Sequence, residues 1–532
     1  MKLKKYSILL IIFICFSLLL KVDFRLQDDI SCCSDDFDYF IHAETISEDF
    51  DFDYTNQLGV YEEARYFREK AAPIGFPGSG ILAVPFMLLG IWIDRLLFYF
   101  FDFELQITNF KLYFYSLSSI FYLLTSVALL NKSLKIFKIK FNPNYLLLYF
   151  LGSGVSYFAF ERYSMTHAYE VFSVSLLIYL SARYFNNEKI NNVFIILLAF
   201  TSVFGFYIKW VYFYIFFVPL IVKKLFFKNI NRKLYTSPSY LISTLFFLFI
   251  CLVLSEKIYG EFTLNPANIY GTNLVSIAVS NTSTNFFYLF DLLKNFIIIL
   301  FTQEFGILWF QPIVFASTLI VIYNFLKDVI NRKFNLLNFI LLLSFAQVYV
   351  IQAMWESSGS SYGLRYIINL TPIAIIVFYR FKEKLNLQFL SKVLVFLSIF
   401  SFLSTIFFET TPGTQLSLDE TLNSFGVYSR YSQKDYLSGY LQSFFSFDAY
   451  LKIFITSFLG LFAVKSILTI NNIDEINSIF SRLGLPVDNE KFQILMKTAE
   501  EISIIYFIFV ASSILFFVYI IYRYILEKNK IL

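Results

Sequence analysis

The stretch Ser34-Asp-Asp-Phe-Asp-Tyr-Phe-Ile-His-Ala43 stands a short way beyond an uncharged apolar run, Tyr6–Leu20, that is headed by Met1-Lys-Leu-Lys-Lys5. A basic end, an apolar run and an acidic stretch in that order set the orientation of everything that follows. The first two parts fit a signal peptide, but no small-residue cleavage site comes next; Lys21-Val-Asp-Phe-Arg25 stands there instead. The expectation is an uncleaved first transmembrane helix with its N-terminus in the cytoplasm. Asp23–Lys70 then carries 14 of the chain's 39 acidic residues against four basic ones, and so belongs outside.

Four later stretches have the opposite charge. Lys132–Lys140 holds four lysines and Lys223–Lys233 five basic residues, neither with an acid, and Lys327–Lys333 and Arg380–Lys392 are net basic. By the positive-inside rule all four are cytoplasmic. Apolar segments run between them near 111–130, 145–160, 170–184, 192–208, 210–222, 238–255, 307–325, 336–353, 366–379 and 393–408. The whole 532-residue chain is 58% hydrophobic and only 15% charged, with 70 Phe and a mean hydropathy of +0.64. So few charges cannot cover so much apolar surface in water. The lipid bilayer is therefore its first partner.

The same composition excludes other classes. A net charge of +4 provides no basic field for nucleic acid. Four cysteines without a C-x-x-C pair disfavour a zinc ribbon or disulfide framework, and two histidines exclude a His-rich metal centre.

Gly80–Phe101 breaks the alternation of sides. It is apolar enough to span, yet counting it would put Lys132–Lys140 outside, and Asp94-Arg95 sits in its middle. Residues 73–101 are therefore expected to form a juxtamembrane or half-inserted helix, near 80–101, on the outer face; the alternative is a true span that violates the charge rule once. Glu409–Asp448 looks external, 450–470 and 502–522 look like spans, and Ile473–Glu501 an amphipathic cytoplasmic stretch. The expected fold is an all-α polytopic membrane protein of about 11–13 transmembrane helices with outer-face juxtamembrane helices. Its main module is 1–408, with a first outer loop at 23–110, and 409–532 is an appendage.

The chemistry-bearing residues gather on the outer side. On a helix, Asp35, Asp38 and His42 share a face. Packed carboxylates are expected to raise at least one pKa, which suits a general base or a cation site; the alternative is a solvated acidic loop. Glu161-Arg-Tyr-Ser-Met-Thr-His-Ala-Tyr-Glu170 and Trp355-Glu-Ser-Ser-Gly-Ser-Ser-Tyr-Gly-Leu-Arg-Tyr366 are two further outer elements. The second brings an arginine to a helix start, an anion-binding turn or an ordinary hairpin. Lys209, in Tyr207-Ile-Lys-Trp210, is an interfacial anchor or a ligand.

These elements together resemble the membrane-embedded glycosyltransferases of the GT-C superfamily, among them bacterial relatives of the protein O-mannosyltransferase and lipid A aminoarabinose transferase families. The likeness lies in Asp35-Asp36-x-x-Tyr39 with Asp49-x-Asp51-x-Asp53, in Pro73-Ile-Gly-Phe-Pro-Gly-Ser-Gly-Ile-Leu-Ala-Val-Pro85, in Met165-Thr-His-Ala168, in Phe305-Gly-Ile-Leu-Trp-Phe-Gln-Pro312 and in Ser361-Tyr-Gly-Leu-Arg-Tyr366. It covers about residues 1–225 and 304–372. The acidic pair is Asp-Asp where many relatives have Asp-Glu, and Met-Thr-His replaces Met-Ser-His; both keep the chemical type.

The resemblance implies a polyprenyl-phosphate-linked sugar donor and an acceptor hydroxyl on a glycolipid, glycan or protein, joined with inversion at the outer face. It implies an outer juxtamembrane helix as well. Asp35 is then expected as the base, with Asp36 orienting it or sharing its proton. Arg365 and Lys209 are expected at the departing phosphate with His167, and Glu161, Tyr39 and His42 at the wall of the site. No metal ligand is assigned, although Asp49, Asp51 and Asp53 leave a divalent cation open. Short loops and abundant Lys, Ile and Phe suggest a bacterium, and the expected location is then its inner membrane. Two other classes compete: a transporter or lipid-linked-glycan flippase, and a non-catalytic scaffold. A transporter would carry its charges near mid-membrane on repeated broken helices, and no repeat is visible.

Overall fold

The computed structural model describes residues 34–58, 66–67, 70–101, 110–160, 162–186, 192–230, 234–265, 286–302, 306–354 and 363–407. The expected first span, Glu161, the 355–362 stretch and everything past 407 lie outside them. The described residues are mostly helical: α1 (Ser34–Glu48), α2 (Thr55–Leu58), α3 (Gly78–Phe101), α4 (Phe110–Ile136), α5 (Pro143–Leu151), α6 (Val155–Phe160), α7 (His167–Asn186) and α8 (Asn192–Ile208) come first. They continue with α9 (Val218–Phe226), α10 (Pro238–Tyr259), α11 (Phe286–Phe301), α12 (Ile307–Phe310), α13 (Pro312–Ile330), α14 (Leu336–Met354), α15 (Thr371–Lys382) and α16 (Gln388–Phe407). Two 3-10 segments, Phe213–Phe217 and Arg365–Leu370, lead into α9 and α15. A hairpin of two-residue strands, β1 (Tyr66–Phe67) and β2 (Lys70–Ala71), is the sheet among the described residues.

Five described helices are long and apolar enough to cross a membrane: Gly78–Phe100, Phe110–Ile136, Pro238–Tyr259, Pro312–Ile330 and Leu336–Ala353. Asn192–Ile208 and Gln388–Phe402 are shorter apolar helices. A polytopic helical membrane protein follows from these lengths. One flank of α10 leaves Leu241, Ile242, Leu245, Phe246 and Phe249 exposed, as lipid requires.

Several expected spans are broken helices instead. The 145–160 segment divides into α5 and α6 because Gly152 caps α5 and Gly154 takes φ +81°, a conformation only glycine adopts without strain. The 210–222 and 366–379 segments each begin as a 3-10 turn and become α-helical where Pro219 and Pro372 stand in the first turn. The 307–325 segment breaks at Gln311, ahead of Pro312. Proline and glycine override the apolar pattern at each place.

Lipid tails are as apolar as leucine, so helices associate in a membrane through close packing and polar contacts. Gly152 shows the first: a Cβ there would lie 2.4 Å from the Ser398 carbonyl oxygen. Asp94 shows the second. It accepts the backbone N–H groups of Phe110 and Lys111, each at 2.9 Å, and so caps the start of α4 from within α3. The charge that counted against a span has this partner.

The named contacts of α3 on α4 lie in the first half of α4. Asp94 reaches Phe110 and Lys111, Phe86 packs against Phe121, and the Tyr122 hydroxyl donates to the Leu82 carbonyl. The far end of α4 joins a different neighbourhood. Phe137 stacks on Phe226 at 3.9 Å, Arg380 lies over Phe226, and Lys223 over Phe185. Residues from three basic stretches of the sequence thus meet at one end of the bundle. Arg183, near the end of α7, and Arg380, near the end of α15, belong to that end. His167 and Arg365 stand at the opposite ends of the same two helical runs.

Candidate functional site

Two adjacent carboxylates in the first turn of α1 diverge, because consecutive helical residues point about 100° apart. Asp36 turns inward and is completely buried. Its Oδ2 lies 2.5 Å from Nη2 of Arg162 and accepts from Nε at 2.7 Å, while Oδ1 accepts from the Ser164 hydroxyl at 2.5 Å. Asp35 faces another way, with its side chain 35% exposed, and its Oδ2 accepts from Nη1 of Arg365 at 3.0 Å. One turn on, the Tyr39 hydroxyl accepts from Lys209 Nζ at 3.0 Å.

Lys209 sits just beyond the end of α8. Its ammonium lies 5.5 Å from the Tyr39 ring centre and 5.6 Å from that of Tyr366, between two aromatic faces. The Arg365 guanidinium also lies 5.2 Å from the Tyr366 ring. The backbone around Arg365 is anchored on both sides. Gln311 donates to the Leu364 carbonyl, the Tyr366 N–H to Gln352, and the Tyr212 hydroxyl to the Tyr366 carbonyl. Gly363 provides the left-handed turn, φ +59°, that delivers the chain to this position.

These cations reverse one expectation. Burial alone would raise the Asp35 carboxyl, but Arg365, Lys209 and Arg162 outweigh it and hold it below the ordinary aspartate value. Packed carboxylates raise one another only where cations do not intervene. Lys209 behaves correspondingly: burial would lower it, yet Tyr39, Tyr366, Glu170 and Asp35 around it keep it charged and above the ordinary lysine value.

His167 opens α7, and it is fully buried. Its Nδ1 is 3.2 Å from Glu170 Oε1, an oxygen that also accepts from the Thr166 hydroxyl, and Phe158 meets the ring edge to face at 4.4 Å. Burial holds the imidazole below its ordinary pKa, against the pull of Glu170. Lys209 and Arg365 both act electrostatically on His167, which puts it in the same cluster.

His42 goes elsewhere. Its Nε2–H donates to the Gly75 carbonyl at 3.0 Å, so Nδ1 accepts from the Tyr54 hydroxyl at 2.8 Å. Both ring nitrogens are engaged, and burial pushes the group down to about 4. This histidine ties α1 to the Pro73–Pro85 segment. The same tie keeps α1 against α3, where a Cβ on Gly80 would come within 2.9 Å of the Ala43 nitrogen.

Asp49, Asp51 and Asp53 act as turn and cap acceptors. Asp49 takes the Asn56 and Gln57 amides, Asp51 the Asp53 N–H, and Asp53 the N–H and hydroxyl of Thr55. Among the described residues, no three His, Cys, Asp or Glu side chains are grouped to hold a metal ion.

Sequence reasoning brought Asp35, Tyr39, Lys209, Arg365 and His167 to one place, and the structure gathers them. It missed Arg162, Ser164, Glu170 and Tyr366 as members of the cluster. Arg162 and Glu170 stood in a noted stretch, where a charge beside apolar spans is the available signal. Nothing in the sequence tells which carboxylate Arg162 pairs with. No family model, no characterised protein and no solved structure matches this chain.

Proposed function

We propose that this chain is a glycosyltransferase with a GT-C-like helical bundle, moving a sugar from a polyprenyl-phosphate donor to an acceptor hydroxyl with inversion. One observation carries the reading. Asp35 is a partly exposed carboxylate with two cations, Arg365 and Lys209, on its own side of α1, while its neighbour Asp36 is consumed by Arg162. A base beside paired cations is what this displacement requires. The acceptor hydroxyl gives its proton to Asp35, and its oxygen forms a bond to the anomeric carbon. The bond from that carbon to the phosphate oxygen breaks, and the polyprenyl phosphate leaves with the electron pair toward Arg365 and Lys209.

Charge supports one side of the membrane for the site. The cluster lies at the ends of α7 and α15 opposite Arg183 and Arg380, whose neighbourhood the positive-inside rule assigns to the cytoplasm. This supports an outer-face site in a bacterial inner membrane, with α3 beside it. The acceptor is a glycolipid, glycan or protein.

The test is transfer of labelled sugar from polyprenyl-phosphate donor in membranes holding the wild type or Asp35→Asn. Loss of transfer in the variant supports the reading; near-normal transfer removes Asp35 as the base. No transfer by the wild type to any lipid, glycan or protein fraction sinks the proposal in favour of a flippase.

A further inference from the structure

The cations that would receive a phosphate are not waiting for one. Arg365 already holds an anion, the carboxylate of Asp35, at 3.0 Å, and its side chain is 12% exposed against 35% for Asp35. Asp36 cannot take over this role, because Arg162 and Ser164 fill both its oxygens from a fully buried position. Arg365's other contacts are with the adjacent Tyr366: a 3.5 Å approach of Nη2 to its hydroxyl and the ring face. Among the described residues, the contact of its Nη1 with Asp35 is the ion pair that Arg365 makes.

A guanidinium edge is a bidentate fork that fits a phosphate at least as well as a carboxylate. Lys209, held between Tyr39 and Tyr366, adds a second positive charge on the same side. We propose that Asp35 is a built-in occupant of the Arg365 anion seat, and that a phosphate-bearing ligand enters by displacing the carboxylate, which frees Asp35 for the acceptor only once that ligand is bound. This rests on the glycosyl-transfer reading for what the freed carboxylate does, but the exchange itself concerns only an anion, an arginine and an aspartate. It makes the order of binding a consequence of charge: the phosphate partner first, the hydroxyl second.

The exchange makes an unusual demand on one variant. Neutralising any carboxylate beside an anion site eases phosphate binding, but the gain from removing a resident competitor of Arg365 disappears once Arg365 itself is gone. The experiment measures binding of polyprenyl phosphate, and separately of inorganic phosphate, to the full-length protein in lipid nanodiscs. Asp35→Asn keeps the shape and removes the charge, and it is expected to bind polyprenyl phosphate about tenfold more tightly. Arg365→Gln is expected to bind it more weakly, and adding Asp35→Asn to Arg365→Gln is expected to give no further change. Asp35→Ser checks that the gain follows the lost charge and not the new amide.

The same pattern with inorganic phosphate assigns the seat to the phosphate group alone; the pattern with polyprenyl phosphate only assigns it to the lipid-borne group, and either supports the exchange. Unchanged or weaker binding by Asp35→Asn overturns it. Tighter binding by Asp35→Asn together with absent sugar transfer by the wild type sinks the transferase reading and leaves the exchange standing.

Discussion

Arg162 and Asp36 are joined across 126 residues of sequence, with Nη2 2.5 Å and Nε 2.7 Å from one carboxylate oxygen, in side chains 5% and 0% exposed. A pair so completely removed from water is held in place by its own geometry and by the Ser164 hydroxyl on the second oxygen. It fixes the first turn of α1 to the segment that leads into α7.

Breaking the pair from one side leaves a buried carboxylate without its cation. Arg162→Ala is therefore expected to cost about 3–5 kcal/mol. The measurement is the thermal unfolding midpoint of detergent-solubilised protein. Arg162→Met combined with Asp36→Leu removes both charges and is expected to recover much of the loss. A single variant as stable as the wild type would show that the joint contributes nothing.

His42 makes stability depend on pH in a defined direction. It is held neutral, with a pKa of about 4 against an ordinary 6.5. Between those values the unfolded chain takes up a proton and the folded chain does not. The contribution is therefore complete above pH 6.5 and is lost as pH falls toward 4, amounting to about 3 kcal/mol. His42→Phe lowers the baseline, since Gly75 and Tyr54 lose a partner, but it is expected to flatten the slope in this window. An equal slope in the variant would assign the acid sensitivity to other groups.

Lys209 holds its position through the Tyr39 hydroxyl and two ring faces. If its charge serves the phosphate of the donor, Lys209→Gln raises the donor KM about 10- to 100-fold, the loss of one charge-assisted contact. A merely structural lysine would instead show itself as lower thermal stability with KM unmoved. Tyr39→Phe keeps the ring and removes the hydrogen bond, so it is expected to have a smaller effect in the same direction.

Gly80 sets how closely α3 approaches α1. A Cβ there would lie 2.6 Å from the His42 Cβ and 2.9 Å from the Ala43 nitrogen, so the clash falls partly on backbone that cannot rotate away. Gly80→Val is expected to force the two helices apart and to destabilise the protein by about 1–3 kcal/mol. Asp35 moves with α1, so activity is expected to fall further than folded protein does. Gly260→Ala, at an exposed helix end with φ +72°, affects stability without touching the site and serves as the contrast.

How much of this was legible in the chain differs from element to element. The long apolar helices α3, α4, α10, α13 and α14 are visible as runs of sequence because length and composition alone decide whether a segment can cross lipid. The breaks within 145–160 and 210–222 are harder, since a glycine or proline in an apolar run is compatible with a kink, a cap or an uninterrupted span. Asp35, Lys209 and Arg365 were legible as candidate site residues because charges beside spans are rare, and Tyr39 because it stands one turn from Asp35. Their roles were not. Asp35 and Asp36 look interchangeable in sequence, and His42 looks like a partner of both until Gly75 and Tyr54 claim its nitrogens.

The sequence by itself determined that the chain belongs to a membrane, through its surplus of apolar side chains. It also determined which stretches carry each sign of charge, through the scarcity of ionisable residues. Tertiary structure alone decided that Asp36 is buried against Arg162 while Asp35 stays partly open against Arg365. The physical reason is range. Hydropathy and charge are properties of single residues, summed over a window, whereas the state of a carboxylate depends on a cation within a few ångströms that stands 126 residues away in one case and 330 in the other.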